Sequence, residues 1–381
     1  MIGPVLLLVP LSLGLCAAFT ALLRRLALRW GFVDQPGGRK IHRAPKPLAG
    51  GVAIYLAIAL PMVSGLLLTN ALDLAPPGGQ GAMDRALAAI SQHLNGIRQQ
   101  TPLAVGLLVA LTCIHLLGLW DDRRAMGPYI KLIGQIAVAS VLVIGFDLRA
   151  LTILGVVPST ILTVLWIVGI TNAFNFLDNM DGLAAGVAAV CTTAFLITTL
   201  LIGQWFVAAM LALLLGALVG FLLFNFNPAS IFMGDSGSLL VGMLLGVLTV
   251  RTTYVRPGAD WATGWYPLLA PLIVLAVPLY DLVVVSIIRI SRGKSPFVGD
   301  TNHLSHRLVA RGMSRRTAVL CIWLMTAATS VAAILLPHVQ PPFEILIFVQ
   351  TLLVLGLVAL LEQHPLPAEP GTGDDRAGRD G

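Results

Sequence analysis

Apolar stretches of about 20 residues recur along this chain, each able to cross the hydrocarbon core as a helix at about 1.5 Å per residue. They run near residues 4–24, 49–69, 103–120, 129–146, 152–172, 183–202, 205–225, 238–255, 266–289, 317–336 and 343–361. Only 11% of the 381 residues are charged and 57% are hydrophobic, whereas a soluble domain carries about a quarter charged residues. Strand-like alternation is absent, which argues against a barrel. The expected fold is all-α, a polytopic membrane protein of about eleven transmembrane helices. Residues 1–362 form one membrane domain, and 363–381, rich in Pro, Gly, Asp and Arg, form a disordered cytoplasmic tail. Residues 70–102 read as the longest polar loop, with a helical patch from Met83 to Arg98.

Basic residues give the orientation. With the N-terminus outside and the C-terminus cytoplasmic, the inner segments hold 19 Lys and Arg and the outer ones 5. The excess positive charge, +6 overall, is explained by this bias, and no nucleic-acid partner is expected. Val5 to Leu23 lacks a basic leader and a small-residue cleavage site, so it reads as a retained span. The cysteines Cys16, Cys113, Cys191 and Cys321 lie inside apolar runs without paired spacing, which argues against disulfides and zinc.

Five polar clusters break the apolar pattern, and the orientation places all of them on the inner face. Asp121 and Asp122 end the third span; adjacent carboxylates there are costly unless cations or donors oppose them. Asn172, Asn175 and Asp178, spaced by three, share one helical face, followed by Asn179 and Asp181. Their oxygens suit a hard cation such as Mg²⁺. Gly234 to Ser238 (GDSGS) combines glycines that admit an anion with Asp235, an N-cap or a metal ligand. Asp300 to Arg307 (DTNHLSHR) brings His303, His306 and Arg307 into a basic loop suited to phosphate; a zinc site there lacks a third ligand. Lys40 and His42 lie in a stiff cationic loop, Asp34 to Gly51, suited to a diphosphate or to anionic lipid. Asp281 inside the ninth span reads either as functional or as a pairing partner within the bundle.

Taken together, NAFNFLDNMDGLAAG, FMGDSGSLL, the Asp121–Asp122 pair, RKIHRAPKPLAGG and DTNHLSHRL resemble the polyprenyl-phosphate N-acetylhexosamine-1-phosphate transferases, in the family's order, from about Asp34 to Arg316. The resemblance implies a Mg²⁺-dependent enzyme, with Mn²⁺ an alternative, of the bacterial inner membrane. It implies transfer of a sugar 1-phosphate from a UDP-N-acetylhexosamine to undecaprenyl phosphate with release of UMP, the first membrane step of envelope polysaccharide synthesis. By position, Asn175 and Asp235 match metal-contacting residues, and Asp121, Asp122 and Asp235 the catalytic acids. Lys131 matches a diphosphate-contacting base, Asn172, Asp178 and Asp181 a nucleotide-side motif, and His303 and His306 the loop histidines.

Within the family the chain looks closer to the N-acetylglucosamine branch. Ala125 stands where the peptidoglycan branch carries a lysine, and Ser305 where relatives often carry histidine. The alternatives are the phospho-N-acetylmuramoyl-pentapeptide transferase of peptidoglycan synthesis and, from another class, a lipid or sugar transporter, which would spread its polar residues along a path through the bilayer. Direct attack by the lipid phosphate, with Asp121 or Asp122 keeping it ionised, and a covalent phospho-enzyme both remain open. Membrane lipids are expected partners, and a homodimer is a further expectation.

Overall fold

The computed structural model describes residues 2–35, 45–71, 81–252, 265–296 and 300–362. The long helices are α1 (Ile2–Arg29), α2 (Gly50–Ala71), α3 (Ala82–Arg123), α4 (Pro128–Gly145), α5 (Val156–Leu177), α6 (Leu183–Leu201), α7 (Trp205–Asn225) and α8 (Asp235–Arg251). They are followed by α9 (Tyr266–Val274), α10 (Ala276–Ser291), α11 (Leu304–Ala310), α12 (Arg315–Leu335) and α13 (Pro341–Leu361). One antiparallel pair of two-residue strands, β1 (Val33–Asp34) and β2 (Lys46–Pro47), closes the loop between α1 and α2.

Among the described residues nine helices are long and apolar enough to span a membrane, and the pair α9–α10 makes a tenth. α8, the remaining expected span, has only 17 residues and falls outside that set. It is short because it never meets lipid: every residue from Ser236 to Thr249 is buried, within a ring that includes α2, α3 and α5. Gly242 and Gly246 bring it against the α5 backbone, where a Cβ at Gly242 would lie 2.6 Å from Thr171 Cα. Such small-residue stripes replace the hydrophobic drive that lipid cannot supply. Outward-facing Leu7, Ile144 and Leu353 are exposed, as a lipid-facing surface requires.

Two sequence expectations change. The loop assigned to 70–102 is shorter, because α3 starts at Ala82 and continues through the Met83–Arg98 patch into its span as one helix of 42 residues. The ninth span is bent by 70° between Val274 and Ala276. Proline explains the break: Pro278 has no N–H for the carbonyl of Val274, four residues back. The Cys191 thiol of α6 donates to that carbonyl instead, 3.3 Å away. Backbone groups freed in lipid must find such substitutes. Residues 363–381, read as a tail, and Lys40 and His42 lie outside the described residues.

Candidate active site at the head of α8

The turn before α8 depends on Gly234, at φ 70°, which lets the chain reverse into the helix. A helix start leaves backbone N–H groups without internal partners. Here they are met from α3: Asp235 N and Ser236 N donate to the two carboxylate oxygens of Asp122, at 2.7 and 3.0 Å. His115, Gly118 and Asp122 lie on one face of α3, at helical spacing. The His115 ring, stacked 4.6 Å from Tyr55, sets Nδ1 3.0 Å from Ser236 O. Gly118 gives the closest approach, since a Cβ there would meet Asp235 O and Ser236 Cα at 2.5 Å.

Asp121 turns the other way. It accepts from Met126 N at 2.5 Å and from Lys131 Nζ of α4 at 2.9 Å. Lys131 also donates to Asp235, so it bridges the acid pair and the GDSGS acid. Asn175 donates to Asp235 Oδ1 at 2.7 Å and to Ser238 at 2.9 Å. One turn back on α5, Asn172 donates to Gln135 at 2.6 Å, and Gln135 lies one turn beyond Lys131 on α4. Thus the three-residue spacing on α5 does present Asn172 and Asn175 to one side, facing α4 and α8.

Asp178 follows immediately after α5. Burial pushes its carboxyl up to about 8, reinforced by the charges of Asp235, Asp122 and Asp181. Asp181 accepts from Ala229 N at 2.9 Å and lies 3.9 Å from Lys46 Nζ. This centre therefore holds more carboxylate than neighbouring cation. Among the described residues no three His, Cys, Asp or Glu side chains form a ready-made metal cage. A carboxylate with an amide oxygen nearby nevertheless fits Mg²⁺, which takes one or two protein ligands and completes its shell with water and phosphate.

The basic loop packs beside the centre: Ser305 donates to Asn179 Oδ1 at 2.6 Å. Its residues are engaged inwardly. His303 is buried, with Nδ1 2.8 Å from Asp281 and Nε2 3.3 Å from Arg289. Arg307 donates from Nε to Glu362 at 2.8 Å and to the carbonyl of Asn302, while its second terminal nitrogen is buried without a partner. Burial lowers the His306 pKa, with the charges of His303 and Arg315 acting in the same direction. Partial burial of Asp300 is outweighed by hydrogen bonds from Arg289 and Asn302, which hold its carboxyl far below the usual range. Clusters far apart in sequence thus meet at one end of the bundle.

Sequence reasoning missed Gln135, His115, Arg289 and Glu362. A signal existed for the first two, since each is a polar residue inside an apolar span at helical spacing from a noted residue. Arg289 and Glu362 give no such signal, because each lies at the end of a span, where a charged residue is ordinary.

A bundle of membrane helices with acids, amides and one bridging lysine gathered at a single end fits a membrane enzyme rather than a lipid or sugar transporter with polar residues along a path through the bilayer. Residues 104–253, α3 to the end of α8, match glycosyl transferase family 4. The chain is 33% identical over 385 aligned positions to a decaprenyl-phosphate N-acetylglucosaminephosphotransferase of Mycolicibacterium smegmatis, covering 92% of this chain and 89% of the relative. It is 30% identical to a probable undecaprenyl-phosphate N-acetylglucosaminyl 1-phosphate transferase of Bacillus subtilis, over 83% of this chain and 80% of the relative. An Escherichia coli undecaprenyl-phosphate alpha-N-acetylglucosaminyl 1-phosphate transferase is 26% identical over 86% of this chain and 83% of the relative. The chain belongs to the polyprenyl-phosphate N-acetylhexosamine-1-phosphate transferases, on their N-acetylglucosamine side.

Proposed function

We propose that this protein transfers N-acetylglucosamine 1-phosphate from UDP-N-acetylglucosamine to undecaprenyl phosphate, releasing UMP, at the cytoplasmic face of the bacterial inner membrane. The observation that carries this reading is the convergence of Asp121, Asp122, Lys131, Asn175 and Asp235 on the head of α8. The relatives named above act on polyprenyl phosphates and N-acetylglucosamine phosphates, which supports the same substrates here. A soluble donor and a lipid acceptor can meet only at an interface, which suits a site at one end of the spans.

The geometry divides the acids. Both oxygens of Asp122 accept backbone N–H groups, so its role is to hold the head of α8. Asp121 and Asp235 share Lys131, and Asp121 is the better candidate for the acceptor side. Lys131 offsets charge as one phosphate approaches another, a stabilisation worth most where it grows in the transition state. Asn175 and Asp235 would hold Mg²⁺, or Mn²⁺, which supplies Lewis-acid neutralisation of phosphoryl oxygens. His306 and Arg307 sit on the donor side, and the buried terminal nitrogen of Arg307 suits a diphosphate oxygen. The lipid phosphate is already ionised near neutral pH, which favours direct attack over a carboxyl-phosphate intermediate.

The test is release of UMP by purified protein given UDP-N-acetylglucosamine, undecaprenyl phosphate and Mg²⁺, beside a panel of other UDP-sugars. Robust turnover that needs the lipid supports the reading. No UMP from any donor overturns it, and preference for the pentapeptide donor moves the protein to the peptidoglycan branch.

A further inference from the structure

Asp281 has no part in the transfer as described, yet its side chain is fully buried in α10, three residues beyond the proline that bends the span. A carboxylate at that depth persists only with partners for both oxygens. Oδ1 accepts from Leu304 N at 2.6 Å, the first N–H of α11. Oδ2 lies 2.8 Å from His303 Nδ1. One carboxylate therefore grips the backbone and the side chain at the start of the loop helix.

The partners also fix the imidazole. Its Nε2 faces Arg289 at 3.3 Å, and a guanidinium can only donate. Nε2 must accept, so Nδ1 carries the proton and donates to Asp281. Arg289 is itself immobilised, by Asp300 at 3.0 Å, by Pro296 O at 2.6 Å and by the Phe176 ring, whose centroid lies 4.8 Å from its Cζ. Phe176 belongs to the α5 motif and meets the His303 ring edge-on at 5.6 Å. The line from Asp281 through His303 thus ends on the same helix that carries Asn175, and α11 carries His306 and Arg307.

We propose that Asp281 is a positioning residue for the donor side: by holding His303 as its Nδ1–H tautomer and gripping Leu304 N, it sets α11 in register with the acidic centre. The kinetic half of this inference rests on the transferase reading above. Asp281→Asn keeps size and shape but cannot satisfy both contacts. If the amide oxygen faces Leu304, its NH₂ meets His303 and drives the ring to the opposite tautomer, N–H against N–H at Arg289. If it flips, NH₂ meets the Leu304 N–H. A carboxylate that sets a histidine tautomer is sensitive to this substitution.

The experiment pairs steady-state kinetics with ¹⁵N spectra of histidine-labelled full-length protein in detergent. Expected is a loss of tenfold or more in kcat/KM for UDP-N-acetylglucosamine in Asp281→Asn, seen mainly as a raised donor KM with the KM for undecaprenyl phosphate unchanged. His303→Ala should lose a similar factor, and the double variant no more than His303→Ala alone. Wild-type kinetics in Asp281→Asn, or losses that multiply in the double variant, would overturn the proposal. The spectra stand apart from folding of the variant and from the transferase reading: wild-type His303 protonated at Nε2 alone sinks the inference even if UMP is released. If the wild type releases no UMP but shows Nδ1–H that shifts in Asp281→Asn, the tautomer assignment stands and the donor-side role falls with the transferase reading.

Discussion

The acidic centre and the basic loop beside it are built in opposite ways. The centre is assembled on backbone: Asp122 binds two N–H groups of α8, and Gly118 lets α3 lie against that turn. The loop leans more on side chains that satisfy one another: Asp281 takes an imidazole beside the Leu304 N–H, and Asp300 and Glu362 each take a guanidinium. The family model matches residues 104–253, from within α3 to just past α8, and the similarity to a whole relative extends over 92% of the chain. A centre fixed by backbone has little freedom to drift, whereas a loop held by charge pairs can be retuned one pair at a time. The first arrangement suits a centre whose geometry must not vary, and the second a surface whose contacts can.

That contrast predicts a ranking of effects. Asp235→Asn should be the most severe, lowering kcat by about a thousandfold, roughly 4 kcal/mol of transition-state stabilisation. Folding and membrane insertion should be intact, because the N–H groups at the head of α8 are met by Asp122 and not by the Asp235 side chain. Near wild-type kcat would remove Asp235 from the chemistry.

Gly118→Ala comes next. Its Cβ would meet the backbone of Asp235 and Ser236 at 2.5 Å, so α8 must shift, and a misplacement on the order of 1 Å costs about a hundredfold in rate. The measurement is kcat together with the melting temperature in detergent. An unchanged kcat would show that the centre is more pliable than its backbone contacts imply.

In the loop, Glu362→Gln removes the charge that holds Arg307 while keeping an acceptor. A several-fold rise in the KM for the UDP-sugar is expected, with kcat nearly unchanged. A loss of kcat as deep as that of Asp235→Asn would erase the distinction between the two regions.

The smallest effect is one of pH. The Asp178 carboxyl, raised from 3.8 to about 8, keeps its proton in the folded state where the unfolded chain gives it up. Protein freed of divalent cations should therefore lose stability as pH climbs through that window. Asp178→Asn should flatten the slope by a few degrees of melting temperature across the range. A slope that survives the substitution assigns it to other groups.

Much of this was legible beforehand. Span length set the architecture, and the three-residue spacing of Asn172 and Asn175 placed one helical face, while Asp178 falls just past the end of α5. The roles within the acid pair were not legible: Asp121 and Asp122 are neighbours in sequence, but a helix turns about 100° per residue, sending one to Lys131 and the other to α8. His303 read as a ligand for phosphate, and the structure turns both its ring nitrogens inward. Its partner Asp281 lies 22 residues earlier, beyond any local pattern.

The sequence by itself determined the lipid-facing helices, because in hydrocarbon each span must satisfy its own backbone and show apolar side chains outward. It also determined which residue types gather at the ends of those helices. Only the tertiary structure decided which charges are spent on one another and which remain for a substrate. Pairing depends on the rotation of each helix about its axis and on approaches as close as that of Gly118, and these are set by packing between spans distant in the chain.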